Sequence, residues 1–170
     1  RVVDTVESKD NINKAYNLIS TSKVRNEMIV DDVITCITRK QTPVILTRFK
    51  EHAKFLYDAL KGKADHVFLL YGDNSDKENT EIRGRLKQVP GSESLVLVAT
   101  GQKIGEGFDF PRLDVLMLAA PVSFEGRLEQ YVGRLNRDYV GKEAVYVYDY
   151  IDSHVRYFDK MYAKRLRTYR

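Results

Sequence analysis

Four polar side chains able to grip phosphate lie on one stripe of the segment SFEGRLEQYVGRLNR (123–137). Arg127, Gln130, Arg134 and Arg137 recur at offsets of 0, 3, 7 and 10, which is one face of a helix. Arginine forks match phosphate oxygens, so such a row suits a phosphorylated ligand. Gly133 sits inside the same helix, where it should cost about 1 kcal/mol relative to Ala. Phe124, Leu128, Tyr131, Val132 and Leu135 supply an apolar stripe for packing on a sheet. Spacing alone favours, by a small margin, an ordinary solvated basic face.

Two loops add to this. ATGQKIGEGFDFP (99–111) carries Gly101, Gly105 and Gly107 directly after an apolar run. Glycines there expose backbone amides to anions or let a ligand approach closely. Asp109 could accept a hydrogen bond from a ribose hydroxyl. The loop is neither a GxxxxGK[ST] phosphate loop nor a dinucleotide fingerprint; a tight structural turn explains it equally well. In TRFKEH (47–52), Thr47 and the positive start of the following helix could hold a phosphate, with Arg48, Lys50 and His52 beside them. Many loops after strands look like this.

The elements that must position these residues alternate. Helical spacing starts at Asn11 with Ile12, Ala15, Tyr16 and Ile19, and a second helix is expected over 22–39. There Ser22 is the cap, and Val24, Met28, Ile29, Val33 and Ile37 form the buried face. Apolar strands are expected at 43–47, 66–71, 94–100, 114–120 and 143–151, and helices at 50–62, 75–89, 123–137 and 155–170. Residues 1–9 read as a leader or an edge strand. Strands that are apolar throughout belong in a mainly parallel sheet covered on both faces, a three-layer α/β/α domain. Ligands of such sheets bind beyond the carboxyl ends of the strands.

Composition sets outer limits. The 170 residues suit a single domain, with 1–40 a helical lead-in and 153–170 a basic C-terminal helix. No apolar run is long enough for a membrane helix. Cys36 is the only cysteine, which excludes an internal disulfide and fits a reducing, cytoplasmic setting. His52, His66 and His154 lack metal-ligand spacing and read as surface or half-buried residues. The acidic pairs Asp31–Asp32 and Asp149–Asp152 read as surface or capping residues. A net charge of +4 is compatible with a nucleic-acid partner. The chain begins at Arg1 without an apolar leader, which reads as a piece of a larger protein. The last helix, rich in Arg, Lys and Tyr, is expected to pack its aromatic side and solvate its charges.

GEGFD (105–109) and QYVGRLNR (130–137), in that order, resemble motifs V and VI of the C-terminal RecA-like domain of superfamily 2 DEAD/DEAH-type helicases. VILTRFKEHAKFL is similar to the motif IV region. YGDNSDKENTEIRGRLKQV is similar to the strand, turn and helix that follow, with Gly72 after the strand and Arg83 in the helix. The resemblance covers roughly 22–152. It implies a RecA-like fold and a share in an ATP-dependent motor. Arg134 and Arg137 match the arginine-finger positions, which stabilise charge on the γ-phosphate. Gln130 matches the residue that couples nucleotide to the partner domain. Gly107 and Asp109 match the pair near the ATP ribose and metal. Thr47, Arg48, Gly72 and Thr100 match positions along the nucleic-acid strand.

Departures from the DEAD-box pattern tilt the expectation towards the repair and restriction branch, and so towards DNA, with RNA as the alternative. Thr100-Gly101 stands for Thr-Asp, Gln130-Tyr131 for His-Arg, and Asn136 where many members have Gly. ATP and Mg²⁺ would be shared with an N-terminal RecA-like domain of the same polypeptide. That domain carries the Walker A lysine and the DExx pair, neither of which occurs in these 170 residues, so the chain alone is expected to be inactive as an ATPase. The competing readings are a RecA-like scaffold without motor function and a self-contained nucleotide-binding enzyme.

Overall fold

The computed structural model describes residues 12–100, 110–120, 146–150 and 156–169. Within them the chain order is α1 (Ile12–Thr21), α2 (Lys23–Thr38), β1 (Pro43–Thr47), α3 (Lys50–Leu60), β2 (His66–Leu70), α4 (Asp76–Gln88), β3 (Leu95–Thr100), β4 (Val115–Leu118), β5 (Tyr146–Asp149) and α5 (Arg156–Tyr169). The expected elements in these stretches all form, and their ends within the described residues agree with expectation to within two residues. The expectations for 1–9 and for the helix 123–137 lie outside the described residues.

Capping explains several boundaries. Ser22 caps α2 by accepting from the Arg25 amide at 3.3 Å. Ser75 and Glu78 form a reciprocal capping box at the start of α4. Gly62 follows α3 at φ +79°, a left-handed conformation that any side chain would strain.

The five strands form one sheet of order β2-β3-β1-β4-β5, with every pairing parallel. Alternate residues of each strand feed different faces. Val44, Leu46, Leu95, Leu97, Leu116 and Leu118 join Leu86 of α4 on one side. Ile45, Val96, Val98, Val115 and Met117 join Ile29 and Val33 of α2 and Ala53, Leu56 and Leu60 of α3 on the other. The sheet is therefore the middle of three layers, as expected. Strands buried on both faces cannot alternate apolar with polar, which is why PVILT reads as a continuous apolar run.

The buried face of α2 departs from the apolar pattern. Val24 is 59% exposed, and the buried residues are Arg25, Asn26, Ile29, Asp32, Val33 and Cys36. The helix is turned so that three polar side chains point inward, where each finds a partner.

Candidate nucleic-acid interface

Thr47 and Thr100 end the neighbouring strands β1 and β3 and are directly paired in register. Both are buried. The Thr47 hydroxyl lies 2.6 Å from His52 Nδ1, and His52 Nε2 lies 2.8 Å from Asn26 Oδ1. Asn26 Nδ2 donates to the Ser20 carbonyl at 2.9 Å, which fixes Oδ1 as an acceptor. His52 must then carry its proton on Nε2, so Nδ1 accepts from the Thr47 hydroxyl. Burial pushes the His52 pKa down to about 3, and the Arg25 charge adds to that shift, so the ring is neutral at pH 7. His52 is thus a buried structural residue, not the surface or half-buried one expected.

Arg25 is fully buried and donates to the Ala119 carbonyl just past β4. Its guanidinium lies 5.7 Å from the centre of the Tyr150 ring, and the Tyr150 hydroxyl donates to Asp32 at 2.8 Å. Asp32 is therefore an interior acceptor rather than a surface residue. Asp149 is corrected in the same way. Arg165 of α5 grips it through Nε at 2.6 Å and Nη2 at 2.9 Å, and Tyr169 donates to it at 2.7 Å. Arg165 is only 1% exposed, although the basic helix was expected to solvate its charges; Lys160, Lys164 and Arg167 do so. None of these inward-facing polar residues breaks an apolar stripe visibly enough to be read in advance.

The rim of this strand end is basic and aromatic. Arg48 is exposed and lies with its guanidinium 4.5 Å from the centre of the buried Tyr16 ring and 6.0 Å from that of Phe49. Lys50 pairs with Asp73 at 3.1 Å, which brings the loop after β1 against the turn after β2 that holds Gly72. Thr47, Arg48, Gly72 and Thr100 therefore share one end of the sheet. A Cβ on Gly72 would meet nothing within 4 Å. On the helix side lies a groove of about 970 Å³, with Val30, Phe49 and Phe55 among its apolar lining and Glu27, Asp31 and Glu51 among its acids. Three carboxylates disfavour a polyanion there, so the Arg48 rim is the better face for phosphates.

Gly107, Asp109, Gln130, Arg134 and Arg137, the positions tied to ATP, lie outside the described residues. Among the described residues no group of three or more His, Cys, Asp or Glu could hold a metal ion, and no helix is long and apolar enough to cross a membrane.

No protein-family model matches the chain. Transcript termination protein A18 of Yaba-like disease virus is 29% identical over 120 residues, 69% of this chain and 24% of that protein. Putative helicase 161L of invertebrate iridescent virus 6 is 30% identical over 159 residues, 89% of this chain and 34% of that protein. The chain thus spans about a quarter to a third of these relatives. Among solved structures, UvsW of bacteriophage T4 superposes with a TM-score of 0.75 at 22% identity, covering 95% of this chain and 35% of that one. Domain 2 of the DEAD-box helicase Mss116p, bound to an RNA duplex, gives 0.64 at 20% identity, covering 79% and 51%. The chain shares the RecA-like α/β fold of these solved domains.

Proposed function

We propose that the chain is the second motor domain of an ATP-dependent helicase or translocase acting on nucleic acid, DNA in the first instance. The observation that carries this is the shared strand end. Fold and motif order point to one end of the sheet, where Thr47 and Thr100 are paired and the exposed Arg48 is backed by aromatic rings. Domain 2 of Mss116p, which has this fold, is bound to an RNA duplex, which supports nucleic acid as the ligand.

In this reading ATP and Mg²⁺ bind between this domain and an N-terminal RecA-like domain of the same polypeptide. Bound nucleotide supplies the free energy of γ-phosphate hydrolysis. Arg134 and Arg137 of this chain place guanidinium charge at the γ-phosphate, Gln130 ties nucleotide state to the partner domain, and Gly107 and Asp109 approach the ribose and metal. Arg48 and the strand ends hold one nucleic-acid strand. The chain alone lacks the partner half of the site and does not turn over ATP. The single free, buried Cys36 fits a reducing cytoplasm.

The test is ATP hydrolysis by the full-length protein with and without single-stranded DNA, beside Arg134→Ala. The expected result is DNA-stimulated hydrolysis that Arg134→Ala removes, by about a thousandfold or more for an arginine finger. Full activity in Arg134→Ala would overturn the finger assignment. No hydrolysis by the unaltered protein under any condition would replace the motor with a RecA-like scaffold.

A further inference from the structure

We infer that Tyr16 of α1 is a positioning residue for nucleic-acid binding: its buried ring is the shelf that holds the Arg48 guanidinium ready for a phosphate. The inference rests on the proposed nucleic-acid role of the β1 strand end and assigns a task to the lead-in helix, which no motif touches.

Tyr16 is 1% exposed, yet it lies directly under an exposed arginine. The guanidinium sits 4.5 Å from its ring centre, and Phe49 meets the same ring edge-on, with centroids 5.7 Å apart. Arg48 thus rests on one aromatic face with a second ring 6.0 Å away. Among the described residues Arg48 forms no ion pair with a carboxylate. The Arg48 side chain also hydrogen-bonds the Tyr16 hydroxyl, so ring and hydroxyl together fix its direction and leave the remaining N–H groups of the fork for a phosphate. Stacking also removes rotamer freedom before the ligand arrives, so less is lost on binding. A free arginine on a flexible stem would bring the same charge without the aim. The shelf comes from α1, so the segment before the sheet is part of the interface.

The experiment measures binding of a fluorescent single-stranded oligonucleotide to the full-length protein over a range of salt. Arg48→Ala should weaken binding roughly tenfold and lower the salt slope by about one contact. Tyr16→Leu should weaken it about threefold through the lost cation–π shelf. Tyr16→Phe, which keeps the ring but removes the hydroxyl that hydrogen-bonds Arg48, should lose less than Tyr16→Leu. In the Arg48→Ala background Tyr16→Leu should cost nothing more, because the shelf then has nothing to hold. If Tyr16→Leu costs the same with or without Arg48, Tyr16 acts on structure generally and the shelf is overturned. If Arg48→Ala binds normally, the nucleic-acid role of this rim fails instead, a different result. Should Tyr16→Leu not fold, Arg48→Lys decides. A positioned fork loses about threefold on this change, whereas a bare charge loses nothing.

Discussion

Thr47 and Thr100 face each other as the last residues of β1 and β3, one residue type at one level of the sheet. Thr47 gives its hydroxyl proton to His52 Nδ1, so that hydroxyl serves the interior. What Thr47 offers a passing strand is its place at the end of β1, next to the loop that carries Arg48.

That division predicts the outcome of two substitutions. Thr47→Val keeps the shape but leaves Nδ1 of a buried imidazole unpaired, which should destabilise the protein by about 1–3 kcal/mol. Thr47→Ser restores a donor and should recover most of the loss. Urea midpoints of the two variants check this. Equal stability of Thr47→Val and the unaltered protein would mean that the hydroxyl is not needed in the core.

His52 links the same network to pH. Its pKa is about 3 in the folded state against 6.5 for an ordinary histidine, because burial disfavours the imidazolium. Between these values the unfolded chain binds a proton that the folded one does not. Stability from this group is therefore full above pH 6.5 and is lost as pH falls towards 3. The loss can approach ~1.4 kcal/mol per pH unit inside that window. Thermal midpoints of His52→Gln should fall less steeply over pH 6 to 4 than those of the unaltered protein. Parallel curves would refute the assignment.

Much of this fold was legible from the chain itself, for identifiable reasons. Strands such as PVILT, buried on both faces, are apolar up to the terminal Thr47, whose hydroxyl has a buried partner, and Ser22 and Ser75 mark helix starts by the amides they satisfy. The polar interior was not legible. Arg25 and Asp32 find their partners at Ala119 and Tyr150, separated by 94 and 118 residues. A pattern read within one helix places such residues outside, as it placed Val24 inside. The strand-end residues Thr47, Arg48 and Thr100 were legible by position after apolar runs; Tyr16 beneath Arg48 was not, because nothing in its helical spacing distinguishes a shelf from core.

Arg165 and Asp149 make a second buried pair, with side chains 2% and 10% exposed and a bidentate contact. It fastens α5 to the end of the edge strand β5. Removing one partner leaves an uncompensated interior charge, so Arg165→Ala should cost about 3–5 kcal/mol. The pair Arg165→Met with Asp149→Leu should cost much less, since both charges leave together. Denaturant titration of the single and double variants measures the difference. A single variant as stable as the double would show that the pair is solvated in solution.

Gly72 gives a test of the interface that folding does not confuse. It follows β2 in the turn joined to the loop after β1 by the Lys50–Asp73 pair. Its backbone is not left-handed, and a Cβ there would meet no atom within 4 Å. Gly72→Ala should therefore fold as well as the unaltered protein or gain about 0.4–1 kcal/mol, because alanine narrows the unfolded ensemble. The same methyl would stand between this turn and a nucleic-acid backbone lying close against it. Oligonucleotide affinity of the full-length protein should then fall about threefold for Gly72→Ala and further for Gly72→Asp, which adds a negative charge facing phosphate. Unchanged affinity in both variants, with Arg48→Ala still impaired, would confine the strand to the β1 end and remove the β2 turn from its path.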